Sequence, residues 1–280
     1  MVSSIPISTK IAIQGIPGSF HHQVALECFG DASSIKCYDV FEQVAKSVAE
    51  GSCDFGIMAI ENSIAGAILP NYDLIDRHKL YIDGEHYLPI SHNLMALPGT
   101  TLEDLTEVQS HPMALLQCHN FFEKYPTIKL TSEKDTASVA KKIRQNGLSA
   151  IGAIASKTAA DIYGLDILAE DIQSFKENYT RFILLKSGKS TGVLPPSKAS
   201  LKITIKNEKG GLAKLLTTLA EHDLDLSKIQ SIPLMERPWD YAFFIDVLIS
   251  DWMQYKNSLH QLETTGATVK ILGEYINQKP

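Results

Sequence analysis

The run Glu177 to Leu185, ENYTRFILL, begins polar and ends apolar, with Asn178, Thr180 and Arg181 crowded at its mouth. A guanidinium fork suits a carboxylate. A threonine hydroxyl alone is a poor acid in water. The plainer reading is the polar end of an ordinary strand. The stretch Ala59 to Ala67, AIENSIAGA, leaves an apolar run and meets Glu61, Asn62 and Ser63 in succession. An acid, an amide and a hydroxyl at the carboxyl end of a strand can orient a polar substrate, although the same residues also build helix caps and Asx turns.

Two further stretches invite anions. In GIPGSF, Gly18, Ser19 and Phe20 sit where a strand would turn into a helix. Glycines admit a close backbone approach, and free N–H groups at a helix start attract negative charge. The stretch is neither G-x-G-x-x-G nor a Walker loop, so an ordinary tight turn stays open. In QSHPMALLQC, Ser110 or His111 precedes a helix opened by Pro112, either as a cap or as an anion seat, and Gln117 follows on the same helix. Asp135-Thr136 reads as a helix cap.

Other chemistries are missing. The histidines and the four cysteines form no C-x-x-C or H-E-x-x-H pattern, so no metal and no cofactor are expected, and the cysteines read as buried free thiols. There is no nucleophile–His–acid array. A net charge of −6 with unclustered basic residues argues against nucleic acid. No apolar run reaches the roughly 20 residues that span a bilayer, and MVSSIPISTKIAIQG lacks the pattern of a secretory signal. A cytoplasmic enzyme with no membrane partner is expected. What fits these residues is a cleft for a small carboxylate-bearing molecule.

Such a cleft needs a scaffold. The 280 residues, 44% hydrophobic and 21% charged, are ordinary globular usage and enough for more than one domain. KIAIQG, HHQVALECFG, SIKCYDV, FEQVAKSVAEG and FGIMAI alternate strand and helix, and a helix through LPNYDLIDRH follows. That order predicts an open α/β sheet. After the extended stretch YIDGEHYLPISHNLMALP a second alternating block begins at EVQS. Two α/β lobes are therefore expected, with the crossover near His86 to Leu97 and the return at Thr180 to Leu185 as hinge strands. SGKSTGVLPPSKAS is a linker by composition. The remainder reads as βαββαβ, the ferredoxin-like order.

Taken together, GIPGSFHHQVA, AIENSIAGAI, SHPMALLQC, DTASVA and NYTRFILL, in this order and followed by βαββαβ, resemble prephenate dehydratase with a C-terminal ACT domain. The resemblance implies a two-lobe catalytic domain similar to type 2 periplasmic binding proteins over 1–187, with lobes of about 8–85 plus 178–187 and 86–177. A linker at 188–199 and an ACT domain at 200–280 would follow. It implies decarboxylative dehydration of prephenate to phenylpyruvate in phenylalanine biosynthesis, in a homodimer or homotetramer, with L-phenylalanine as effector. It makes Thr180 the donor to the leaving hydroxyl, with Arg181 and Phe182 completing that motif. Glu61, Asn62, Ser110 and Gln117 would be catalytic, and Gly18, Ser19, Phe20, Ser63, His111 and Asn178 would bind substrate.

The chain departs from the family pattern in places. Ala59 replaces a usual proline, and His21 a usual small hydroxyl residue. The effector segments are Gly211, Leu212 and Ala213, and Gln230, Ser231, Ile232 and Pro233, the second standing where Glu-Ser-Arg-Pro is usual. Weaker or altered phenylalanine inhibition is expected. The alternatives are arogenate dehydratase, with the same chemistry on an amino-bearing side chain, and a two-lobe amino-acid or solute-binding sensor.

Overall fold

The computed structural model describes residues 9–31, 33–189, 195–233 and 241–280. The first lobe runs β1 (Lys10–Gln14), α1 (Phe20–Phe29), β2 (Ser34–Tyr38), α2 (Phe41–Ala49), β3 (Phe55–Asn62), β4 (Gly66–Ala67), α3 (Leu69–Arg77) and β5 (Tyr81–Pro89). β1 lies parallel to β2 and β3, the pairing expected of strand–helix–strand crossovers. Ile11, Ile13 and Ile57 pack against Val24 and Ala25 of α1 on one face of this sheet. On the other face Met58 and Ile60 pack against Val44 and Val48 of α2 and Tyr72 and Ile75 of α3. Both faces of β1 and β3 are thus buried, which is why these two strands read as continuous apolar runs.

The second lobe holds β6 (Asn93–Ala96), a 3₁₀ turn at Leu102–Asp104, β7 (Glu107–Ser110), α4 (Pro112–Gln117), α5 (His119–Phe122), β8 (Lys129–Ser132), α6 (Thr136–Asn146), β9 (Ile151–Ala155), α7 (Lys157–Tyr163) and β10 (Asp166–Ala169). Its sheet has the order β10-β6-β9-β7-β8. Leu94, Val108 and Ile154 pack against α4 and α5, and Met95, Ala153 and Ala155 against α6 and α7. Capping follows the residue types. Asp135 accepts from Ser138 N at 2.7 Å, and Gly147, at φ 63°, closes α6 in the left-handed conformation.

The chain returns to the first lobe as β11 (Tyr179–Lys186), antiparallel between β5 and β3. β5 stays paired with β11 up to Pro89, so the crossover lies at 90–92 and not at His86. Ile90 N donates to Asn178 O at 2.7 Å, which binds the outgoing and returning strands side by side between the lobes.

The C-terminal unit is β12 (Lys198–Thr204), α8 (Gly211–Glu221), β13 (Asp225–Pro233), β14 (Tyr241–Leu248), α9 (Trp252–Thr264) and β15 (Thr268–Tyr275). Its antiparallel order β13-β14-β12-β15 is the ferredoxin-like arrangement. β12 starts at Lys198, two residues before the expected position, and part of the expected linker falls outside the described residues. β15 meets β5 at one bridge, Gly273 to Ile82, so the C-terminal sheet continues into the first lobe. A Cβ on Gly273 would stand 2.4 Å from Ile82 O, an approach open only to glycine. Among the described residues no helix is long and apolar enough to cross a membrane.

Candidate active site

A cleft of about 660 Å³ opens between the two lobes. It is bounded by the start of α1, the ends of β3 and β11, the start of α3, and the starts of α4 and α6. Phe20, Phe182 and Ile90 make an apolar floor, while Asn62, Gln117 and Thr180 bring polar atoms to it. Among the described lining residues there is no lysine or arginine, and Asp135 carries the charge.

Strand geometry selects what reaches the cleft. Side chains alternate across a sheet, so Thr180 and Phe182 face the cleft and Arg181 faces away. Asn62 lies opposite Thr180 in the β3–β11 pairing. Its Nδ2 donates to Thr180 Oγ1 at 3.0 Å and to Asn178 Oδ1 at 2.7 Å. Asn178 Nδ2 donates to Gln117 Oε1 at 2.9 Å, and that oxygen also lies 2.8 Å from His92 Nε2. A hydrogen-bonded chain therefore runs from Thr180 in one lobe to His92 at the edge of the other. Thr180 Oγ1 is an acceptor in this chain, which leaves its own proton free to point into the cleft.

Two histidines of the cleft were not among the candidates from sequence. His21 Nε2 accepts from Ala59 N at 3.3 Å, and its ring stands at 90° to Phe182 with centroids 5.0 Å apart. Burial pushes its pKa down to about 3, so the ring is neutral. His92 is 3% exposed, and burial lowers its pKa while the Gln117 contact opposes the shift. Its Nδ1 is buried without a hydrogen-bond partner. Neither ring is a proton source at neutral pH. The signal for His21 was its place directly after Phe20 at the helix start. His92 carried none, because its role depends on Gln117 folding over it.

The other expected residues divide. Ser19 caps α1, accepting from His22 N at 3.2 Å, and lines the cleft with Phe20. Gly18, at φ 89°, sits at the contact between the lobes, where Ser156 Oγ donates to its carbonyl at 2.6 Å. His111 caps α4, its Nδ1 accepting from Met113 N, and lines the cleft. Ser110 does not line it. The side chain is fully buried and donates to Ile154 O at 2.7 Å, a bond between neighbouring strands. Ser63 also turns away, donating to Glu177 O and accepting from Tyr179 N.

Arg181 and Glu61 require the largest correction. Arg181 is 3% exposed and projects from β11 away from the cleft. It donates to Glu85 at 2.7 Å, to Glu61 at 3.1 Å, to the Tyr275 hydroxyl at 2.8 Å, and to Asp246. Burial alone would lower its pKa, but Asp246 and the other anions hold it well above the ordinary value. Glu61 pairs with Arg181 and with Lys228 on that same far side. Arg181 is therefore no carboxylate fork for a ligand in the cleft.

In the C-terminal unit, Gly211 and Ala213 line a separate cavity of about 700 Å³. Gln230 to Pro233 lie on β13, with β14 between them and β12. One chain does not bring the two effector segments together around that cavity.

Comparisons with known proteins bear on the family and the fold. The family model described as prephenate dehydratase matches residues 11–190. The chain is 37% identical over 286 residues to a protein of Arabidopsis thaliana named arogenate dehydratase/prephenate dehydratase 1, chloroplastic, covering 95% of this chain and 71% of that one. The quorum-quenching acylase GqqA superposes with a TM-score of 0.86 at 28% identity, over 95% of this chain and 97% of its own. A prephenate dehydratase from Arthrobacter aurescens, solved with L-Phe, superposes with a TM-score of 0.86 at 24% identity, over 97% and 92% of the two chains, a likeness of fold.

Proposed function

Because the chain belongs to the prephenate dehydratase family, we propose that it converts prephenate to phenylpyruvate in the cleft, with Thr180 as the proton donor. The observation that carries this reading is the bond from Asn62 Nδ2 to Thr180 Oγ1. It fixes the hydroxyl and occupies its acceptor side, so the O–H is aimed at substrate. In the reaction the C–C bond to the ring carboxylate breaks and its electron pair enters the ring. The C–O bond to the 4-hydroxyl breaks in turn, and carbon dioxide and water leave as the ring becomes aromatic. An oxygen departing towards hydroxide is basic enough to take a proton from an alcohol, and Thr180 recovers one from solvent. Aromatisation supplies the driving force, so positioning and one donor suffice.

Among the described lining residues there is no lysine or arginine, so the carboxylates are held by backbone N–H groups at the start of α1 and by the His111 ring, away from Asp135 at the start of α6. Phe182 and Phe20 take the ring and keep water away. The test is turnover: purified protein is mixed with prephenate and with arogenate, with and without L-phenylalanine, and aromatic product is followed. Formation of phenylpyruvate from prephenate supports the proposal. Absence of product from either substrate refutes it.

Arogenate is the second reading, and one observation favours it. Asp135 places a carboxylate on the cleft wall, where an ammonium would pair with it. Asp135→Asn keeps the helix cap and removes the charge. If arogenate is the true substrate, its kcat/KM falls relative to that of prephenate in this variant; if the ratio is unchanged, Asp135 is only a cap. Phenylalanine control through an ACT-type C-terminal unit belongs to the same proposal. Since one chain separates Gly211 from Gln230, a seat built from both segments takes two copies. The homodimer or homotetramer, read by sedimentation, and the cytoplasmic setting are also part of it.

A further inference from the structure

Six charges meet behind the cleft: Arg181, Lys198 and Lys228 against Glu61, Glu85 and Asp246. Arg181 is 3% exposed, and Lys198 and Glu85 are each 1% exposed. The catalytic strands β3, β5 and β11 supply three of the six, and β12, β13 and β14 of the C-terminal unit supply the other three, with Tyr275 of β15 bonded in. Every strand of the C-terminal unit therefore places a polar group against the back of the catalytic strands.

Two irregularities in the sheet bring one pair of these charges together. On β3, Phe182 lies opposite Ala59 but Arg181 lies opposite Glu61, so Ile60 is an extra residue. Plain alternation from Ile57 and Ala59 would put Glu61 on the cleft face. The bulge turns it to the far side and leaves Asn62 on the cleft face opposite Thr180. On β13, Leu226 lies opposite Val247 and Lys228 opposite Asp246, so Ser227 is an extra residue. That bulge turns Lys228 to the face of Asp246 and on to Glu61, with its ammonium 5.0 Å from the Tyr72 ring centre. Bulges give up ladder hydrogen bonds and re-aim side chains. Here two of them, in different parts of the chain, re-aim the two partners of one ion pair.

On the reading that Thr180 and Asn62 do the chemistry, we infer that Arg181 and Glu61 are positioning residues holding those neighbours in register, and that Lys228 transmits the placement of the C-terminal unit to them. Each positioning residue is covalently adjacent to the cleft residue it serves. A shift of β13 pulls on Glu61 and so on Asn62, whose amide orients Thr180. β13 also carries Gln230 and Ser231 two and three residues after Lys228, so an event at that segment reaches the cleft by a short path.

The test compares the full-length protein with Lys228→Met, Glu61→Gln and the double variant. Lys202→Met is the control, since it removes another ion pair between the C-terminal unit and the first lobe, that with Asp76, away from β3 and β11. Urea unfolding checks that each variant is folded. Lys228→Met is expected to lower kcat by about tenfold or more with KM little changed, as misplacement of a reacting group does. The double variant is expected to lose no more than either single one, the non-additivity of one shared interaction. Amide hydrogen exchange at Asn62 and Thr180, which needs no turnover, is expected to quicken about tenfold in Lys228→Met and not in Lys202→Met. Unchanged exchange at these two amides, additive losses in kcat, or a loss in Lys202→Met equal to that in Lys228→Met would each overturn the inference. Absence of wild-type turnover on both substrates would sink the functional reading alone, because the exchange measurement still decides the coupling.

Discussion

Under the proposed function, Thr180 acts as a donor through its neighbours. An alcohol in water is a poor acid, and here Asn62, Asn178 and Gln117 hold it in a fixed orientation inside a largely apolar cleft. The same desolvation keeps His21 neutral, which has a consequence for stability. Its pKa in the folded chain is about 3 against 6.5 in the unfolded one, so the unfolded state binds a proton first as the pH falls. Stability contributed by the neutral ring is present above pH 6.5 and is lost as the pH falls from there towards 3. The loss is up to about 1.4 kcal/mol per pH unit. Replacing His21 by Gln keeps an acceptor for Ala59 N and removes the titration. Urea midpoints between pH 4.5 and 7, about the range where this slope acts, are expected to vary less with pH in the variant than in the wild type. Thr180 and Asn62 could be picked out from sequence because each stands at the end of a readable strand, whereas Gln117 stood on a readable helix whose facing was open and Phe182 came only with the family motif. His92 could not, since only the packed fold brings it to Gln117.

Strands and helices were largely readable, because apolar runs, glycine stops and Asp or Ser caps coincide along the chain. What period and composition do not encode is a bulge. Alternation along β3 points Glu61 into the cleft, and a single extra residue at Ile60 reverses it. Arg181 was misplaced for a different reason: its charge suggested a ligand, while its parity along β11 with Thr180 already required the opposite face. The GIPGSF turn shows the reverse case, where a sequence signal had a structural cause beyond the one suspected. Gly18 at φ 89° touches α7 of the other lobe, and a Cβ there would stand 2.9 Å from Ala159 Cα. Gly18→Ala is expected to cost about 1–2 kcal/mol in backbone strain and to force the lobes apart at that contact. A raised KM for prephenate together with a lower melting temperature is the expected outcome. A KM equal to that of wild type would mean that the lobe contact does not shape the cleft.

Across the molecule, the C-terminal unit is joined to the first lobe by a continuing sheet, by shared apolar packing of Tyr72 on Phe244, and by the buried charges around Arg181. The βαββαβ order could be read from sequence, but its docking could not, because nothing in a local pattern says which charged side chains will be buried against each other. Removing one partner from such a cluster leaves the others uncompensated. Arg181→Met is therefore expected to destabilise the protein by about 3–5 kcal/mol, seen as a fall in the urea midpoint, whereas a surface residue serving only a ligand would leave that midpoint unchanged. In the proposed function all of this scaffolding serves one hydroxyl. The decisive comparison is turnover of prephenate by wild type and Thr180→Val, with prephenate binding measured by calorimetry on both. The expected result is a folded variant that binds prephenate about as well and turns it over roughly 10²- to 10⁴-fold more slowly. A folded Thr180→Val protein with near wild-type turnover would contradict the assignment of Thr180 as the proton donor.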